Sequence, residues 1–304
     1  WTRQADRPGL CQPPPMRSFS LLLFVLPALL HAQTPAKEEL GLAQTLYASD
    51  ANDSALVHVD KAIALDPKLA KAWKLRGDLR QRAKNMDGAL LDYEKAEDLD
   101  PNDARLYVSR SALRISNGNL KGALKDCERA LALDENDPDA WYNSACAKCM
   151  GQDTEGSLKD AQRAFKLNPQ HADALYLSGV CKGELYREED GLAEVEEALR
   201  LKPTIPGGLM ASGVLLFETQ RYEAAIVRFT QVIDQDAEGK AEAYYYRGDC
   251  YYNLENKEQA CADWKVSSRL GDKDAVFIVK NYCNTDATKI PKKPAKKRKT
   301  VIEF

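Results

Sequence analysis

Two consecutive stretches decide the fold: AKAWKLRGDLRQRAKNMDGALLDYEKAEDLDPND at residues 70–103 and ARLYVSRSALRISNGNLKGALKDCERALALDEND at residues 104–137. Laid over one another without a gap, they place aromatic on aromatic at the fourth position (Trp73, Tyr107) and small on small at the eighth (Gly77, Ser111). Ala falls on Ala at the twentieth position (Ala89, Ala123) and the twenty-seventh (Ala96, Ala130). The 34-residue frame extends both ways, with repeats beginning at residues 36, 70, 104, 138, 172 and 206 and a seventh at 241, one residue late. A period of this length marks stacked supersecondary units.

The remaining repeats keep the pattern. The eighth position is also Ala43, Ala145, Gly179, Gly213 and Gly248, and the twentieth is Ala55, Ser157, Gly191, Ala225 and Ala260. The fourth is large in six repeats, with Glu39 the exception; the twenty-fourth is bulky or apolar in most (Val59, Tyr93, Cys127, Val195, Phe229, Trp264), with Ala161 the exception. Small residues at positions 8 and 20 predict two helices in close approach, with the large residue at position 4 filling the groove between them. Pro67, Pro101, Pro169 and Pro203 close four repeats, because proline cannot continue a helix. One such hairpin cannot bury its apolar face alone, so neighbours must stack into a superhelix.

Across residues 36–283 the pattern resembles the tetratricopeptide repeat family. The resemblance implies an all-α fold: a right-handed superhelical solenoid of about seven helical hairpins over 36–271, closed by a capping helix at 272–284. The closing segment is similar to that of exported bacterial members of the family. The family's inward positions imply a concave partner-binding face. Positions 5 and 9 carry Lys74 and Asp78, Val108 and Ala112, Tyr142 and Cys146, Tyr176 and Val180, Met210 and Val214, and Tyr245 and Asp249, with Asn143 at position 6 as a polar handle. The centre is apolar and aromatic, which suits an extended peptide or a partner helix. The set of Lys, Asn and Arg with which some family members clamp a C-terminal carboxylate does not occur in three consecutive repeats here.

The ends read differently from the body. Of the 304 residues, 44% are hydrophobic and 29% charged, a foldable composition. The net charge of −3 combines +2 over 1–33, about −10 over 34–284 and +5 over 285–304. An acidic body argues against a nucleic-acid partner. The first Met is Met16; Arg17, the apolar run LLLFVLPALL at 21–30 and the Leu30-His31-Ala32 site read as a signal peptide over 16–33, after translated upstream sequence at 1–15. The expectation is an exported protein, periplasmic or secreted, with no transmembrane segment. Residues 285–304, with KKPAKKRK at 292–299, read as a disordered basic tail able to touch acidic surfaces.

Little in the chain points to catalysis. Phosphate loops, dinucleotide fingerprints, zinc-protease and nucleophile-elbow motifs are missing from the sequence. His58 and His171 fall at positions expected on the surface, and the carboxylates at repeat ends (Asp66, Asp100, Asp134, Asp137) suit turns and helix N-caps. Cys146 and Cys149 form a CxxC, but mid-helix, away from the N-terminal dipole that activates a redox thiol. Zinc would need about four ligands, and only Cys181 and His171 lie in the next repeat; no cofactor is expected. Cys261 and Cys283 could tie the capping helix to the last hairpin, with Cys250 a competing partner. The function expected is a non-enzymatic scaffold that binds a protein or peptide in its groove. The alternatives are a cysteine-based redox or metal protein using Cys146 and Cys149, and a self-assembling structural solenoid.

Overall fold

The computed structural model describes residues 35–235, 240–285 and 289–290. The readings at 1–15, at 16–33 and at 292–299 lie outside these residues. The described chain runs as seven antiparallel pairs: α1 Pro35–Ala48 with α2 Asn52–Leu65, α3 Ala70–Arg82 with α4 Met86–Leu99, α5 Ala104–Ser116 with α6 Leu120–Leu133, α7 Pro138–Met150 with α8 Thr154–Leu167, α9 Ala172–Glu184 with α10 Glu188–Leu201, α11 Gly208–Glu218 with α12 Tyr222–Asp234, and α13 Lys240–Asn253 with α14 Lys257–Arg269. A short α15, Lys273–Ile278, continues into one π-helical turn, Val279–Cys283.

Local chemistry sets the boundaries. Asn85, Asn119, Asp153 and Asn256 cap the second helices of their hairpins, and Asp103 and Asp137 cap first helices, each accepting a hydrogen bond from an orphan backbone N–H. The residues before the closing prolines (Asp66, Asp100, Asn168, Lys202) are extended, with φ between −144° and −132°. Proline's ring forbids the helical conformation to its predecessor. Inside every hairpin, the fifteenth residue sits in the left-handed region at φ 58–72°, yet only Gly118 among the seven is a glycine.

Packing within a hairpin differs from the expectation at one position. The groove is filled by the twenty-fourth residue, not the fourth. A Cβ on Gly77 would lie 2.6 Å from the Tyr93 ring, on Gly213 2.6 Å from Phe229, and on Gly248 2.7 Å from Trp264. Gly179 and Gly191 (positions 8 and 20) meet so closely that a Cβ on Gly191 would lie 2.5 Å from the Gly179 carbonyl oxygen. Tyr93, Phe229 and Trp264 are fully buried, each stabilising its hairpin by roughly 2–3 kcal/mol. The fourth-position aromatics reach back to the preceding turn instead: Trp73 Nε1 donates to the Pro67 carbonyl at 2.9 Å, Trp141 Nε1 to that of Glu135 at 2.9 Å, and the Tyr107 hydroxyl to that of Pro101 at 3.0 Å. They measure the step between repeats.

A second periodic feature lay hidden in the sequence. The twenty-third residue of repeats two to five and seven is a carboxylate (Asp92, Asp126, Asp160, Glu194, Asp263) held by the seventh residue of the same hairpin and, in repeats two to five, by the eleventh as well. Arg76 grips Asp92 in a fork at 3.0 and 2.7 Å, and Arg80 adds a bond at 2.8 Å. Arg110 and Arg114 do the same for Asp126, with both members of the Arg110–Asp126 pair about 95% buried. Ser178 with Lys182 holds Glu194, and Arg247 holds Asp263. The Arg also reaches the preceding hairpin, Arg76 to Asp60 and Arg110 to Glu97. Bidentate Arg–carboxylate pairs are strong and directional, so the forks fix the two helices of a hairpin on each other, and Arg76 and Arg110 also tie their hairpins to the preceding one.

The first helices of neighbouring hairpins touch directly along the stack, α1 to α3 and on to α11 and α13, whereas neighbouring second helices do not contact comparably. The first helices therefore line the shorter, concave side. At the open end, Asp272 caps α15 by accepting from the Ala275 N–H at 2.8 Å. Trp264, Ile278 and Tyr282 form the buried seal there, and Cys283 is bonded to Cys261 while Cys250 stays a buried free thiol.

Candidate concave binding surface

The structure divides the concave residues into two sets. Lys74, Tyr142, Met210, Tyr245 and Asp249 keep part of their surface in solvent. Asp78, Asn143, Cys146, Tyr176 and Val180 are each at most 9% exposed, which corrects the expectation that all ten present themselves to a partner. The reason is the close spacing of the first helices: eleven of the thirteen residues of α9 are buried, so groove-register side chains there pack against the adjoining hairpins.

Asn143 is the plainest correction. Its Nδ2 donates to the Val108 carbonyl at 3.1 Å and to Ser111 Oγ at 2.9 Å, joining α7 to α5. It is glue between repeats, not a handle for a ligand. Tyr176 and Val180 share a core with Val214, Tyr246 and Phe229, and Met210 and Tyr245 lie on its half-exposed edge. Asp78 accepts from the Tyr93 hydroxyl at 2.8 Å and pairs with Lys74 at 2.8 Å, at the other end of the stack. Asp249 accepts from Trp264 Nε1 at 3.0 Å. Tyr142 on α7, Met210 on α11 and Tyr245 on α13 thus keep part of their apolar surface in solvent along the first helices, with Lys74 back on α3 and Asp249 one turn from Tyr245.

Tyr142 is tied to the next hairpin by His171, whose ring lies 4.8 Å away centroid to centroid. Neither histidine sits fully on the surface, against expectation. His58 contacts Glu39 through Nδ1, and His171 is the N-cap of α9, its Nδ1 accepting from the Ala174 N–H at 3.2 Å. Burial holds the His171 imidazole below its ordinary range, against the pull of Asp139 and Asp173. The cap needs the neutral ring, so burial and hydrogen bonding agree.

Sequence reasoning missed Phe217, the twelfth residue of its repeat and an inward position in the family frame. It is half-buried and packs edge-on against Tyr246 at 5.7 Å. Its register was the signal that could have found it. The CxxC lies in the second half of α7, and Cys146 is pushed up to about 12 by burial, against a hydrogen bond from Tyr142. A redox thiol needs the opposite shift. Among the described residues, three or more His, Cys, Asp or Glu side chains nowhere converge as a metal site, and no helix is long and apolar enough to cross a membrane.

A stack of paired helices with an aromatic inner strip defines a helical-repeat solenoid. The tetratricopeptide repeat family model matches residues 40–104 and 210–264. Among solved structures the chain is similar to PilF of Pseudomonas aeruginosa (18% identity over 68% of this chain and 95% of that one, TM-score 0.60). It is also similar to PilW, a type IV pilus biogenesis factor (17%, 68% and 97%, TM-score 0.61). A third is YrrB, a tetratricopeptide repeat protein with an unusual peptide-binding site (23%, 62% and 97%, TM-score 0.54). No curated protein sequence matches. The chain carries segments that match the tetratricopeptide repeat family model and has the helical-repeat fold of those solved structures, a fold that supports protein–protein interaction scaffolds.

Proposed function

We propose that this protein is a non-enzymatic scaffold, exported from the cell that makes it, which binds a peptide or partner protein along its concave face. The carrying observation is the strip of half-exposed Tyr142, Met210 and Tyr245 on the first helices, backed by a rigid core. Aromatic and Met side chains over a pre-formed surface give a few anchors that dominate binding energy. Nucleic acid does not suit the acidic body. The signal-peptide pattern from Met16 and the bonded Cys261 and Cys283 support an oxidising destination.

The test is affinity capture from a cell-envelope extract with the wild-type chain and with Tyr142→Ala/Met210→Ala/Tyr245→Ala. The proposal expects a partner retained by the wild type and reduced at least tenfold by the triple variant, with helical content unchanged. A partner held equally by both would move the site to the convex face. Self-association without a partner, seen by light scattering, would favour a structural solenoid. Export is checked separately by fractionation and the mass of the N-terminal peptide.

A further inference from the structure

The charge ladder breaks at the sixth hairpin. Its twenty-third residue is Arg228, not a carboxylate, and its eleventh is Leu216, where the second to fifth hairpins have Arg or Lys. Ser212 and Arg228 turn instead to Glu196 of the fifth hairpin, the Arg at 2.6 Å. Leu216 therefore brings apolar surface where those hairpins place a charge, and an apolar groove of about 540 Å³ lies between α10 and α12. Leu192, Ala193, Leu216, Ala224 and the exposed Val227 line it, and the pairs Glu189–Arg221 and Glu196–Arg228, each at 2.6 Å, border it.

The end of the described chain lies on the same edge of the stack. Lys257, at the start of α14, donates to the Thr285 carbonyl at 3.3 Å, and Ile290 packs on the closing cluster. That is the turn side of the seventh hairpin, and Glu189 and Arg221 stand at the corresponding turns of the fifth and sixth. The turn segments 184–190, 218–224 and 253–259 carry a net charge of −5, with Glu184, Glu189, Asp190, Glu223, Glu255 and Glu258 exposed. The matching segments of the second and third hairpins, 82–88 and 116–122, carry +2. Residues 291–304 carry +5 and finish in the apolar TVIEF.

We propose that the occupant of this groove is the chain's own C-terminal segment, with KKPAKKRK running along the acidic turns and TVIEF seated between α10 and α12. The inference stands on the groove and on charge complementarity, and does not depend on the concave site. Residues 291–304 reach about 46 Å when extended. The groove is two hairpins back, and packed helices lie about 8–10 Å apart. In an extended segment Ile302 and Phe304 share one face, which suits the apolar floor. The tether holds the segment at an effective concentration of about a millimolar, so a small contact suffices. A docked segment also keeps Val227 from meeting another chain.

The experiment uses the full chain with benzoylphenylalanine in place of Ile302, irradiated at high dilution and digested with trypsin. Trypsin releases 300–304 as one peptide, and the groove residues fall in 188–200 and 222–228. The expected product, taken from the monomer band, joins 300–304 to one of those two peptides. Val227→Asp, a change at an exposed residue, should lower its yield roughly fivefold by placing a charge on the apolar floor. Lys296→Glu/Lys297→Glu, outside the folded body, should lower it too, as should about 0.5 M salt. A link to the first helices, a link found only in a dimer band, no link, or a yield indifferent to Val227→Asp would each overturn the proposal.

Discussion

Asp126 shows how one side chain can hold two hairpins. Its carboxylate accepts from Arg110 and Arg114, and Arg110 in turn reaches Glu97 of the preceding hairpin. Removing one partner of a buried pair strands the other charge, at a cost of roughly 3–5 kcal/mol. Asp126→Ala should therefore lower the free energy of urea unfolding by roughly 3–5 kcal/mol, while Asp139→Ala, at a half-exposed carboxylate on the surface of α7, should change it by less than about 1 kcal/mol. Equal effects from the two variants would refute the role given to the ladder. His171 makes a pH-dependent contribution. Its folded-state imidazole is held below the ordinary value of 6.5, so the unfolded chain binds the proton more readily. Stability from this residue is complete above about pH 6.5 and falls as the pH drops toward the folded value. His171→Asn keeps a capping oxygen but cannot titrate, and should flatten that part of the stability profile relative to wild type in matched unfolding series. At this scale the sequence was a partial guide. Period and size at positions 8, 20 and 24 could be read directly, because two helices in contact leave a local imprint. The buried carboxylates could not, since an Asp in a repeat looks like a turn or cap until the Arg sixteen residues earlier is seen across the hairpin. Asn143 misled for a related reason: its register points inward, but its amide is taken by the previous hairpin.

The element most dependent on a single linkage is the closing segment. α15 has only six residues, too few to stand as an isolated helix, and its π-helical continuation ends on Cys283. The bond to Cys261 closes a loop with a sequence separation of 22, for which the chain-entropy argument gives about 3 kcal/mol. Reducing agent should lower the melting temperature and raise amide exchange first in 272–285, leaving α1 to α8 little changed. Uniform loss of protection along the whole stack would contradict this. The capping helix itself was legible, through the family resemblance, as the segment 272–284. Its π-helical turn was not, because no residue type in VKNYC demands the wider turn. The inward face was legible as a register, but its degree of burial was not: how much of Tyr176 or Val180 remains exposed is set by the spacing of α7, α9 and α11, a tertiary quantity.

Across the whole molecule, the buried residues form a series of clusters along the stack, and in its first half neighbouring hairpins are also tied by Arg76 to Asp60, by Arg110 to Glu97 and by the rings of Trp73, Tyr107 and Trp141. Such a body is stiff locally and offers a long surface, and its chemistry lies in what that surface displays. The account turns on the inner strip being the side that meets a partner. The direct measurement is site-specific photo-crosslinking in envelope extract, with benzoylphenylalanine placed in turn at Met210, on the strip, and at Val227, an exposed apolar residue of α12 on the opposite side. A covalent adduct from position 210 and none from 227 is the predicted result; an adduct from 227 with none from 210 would contradict the concave site.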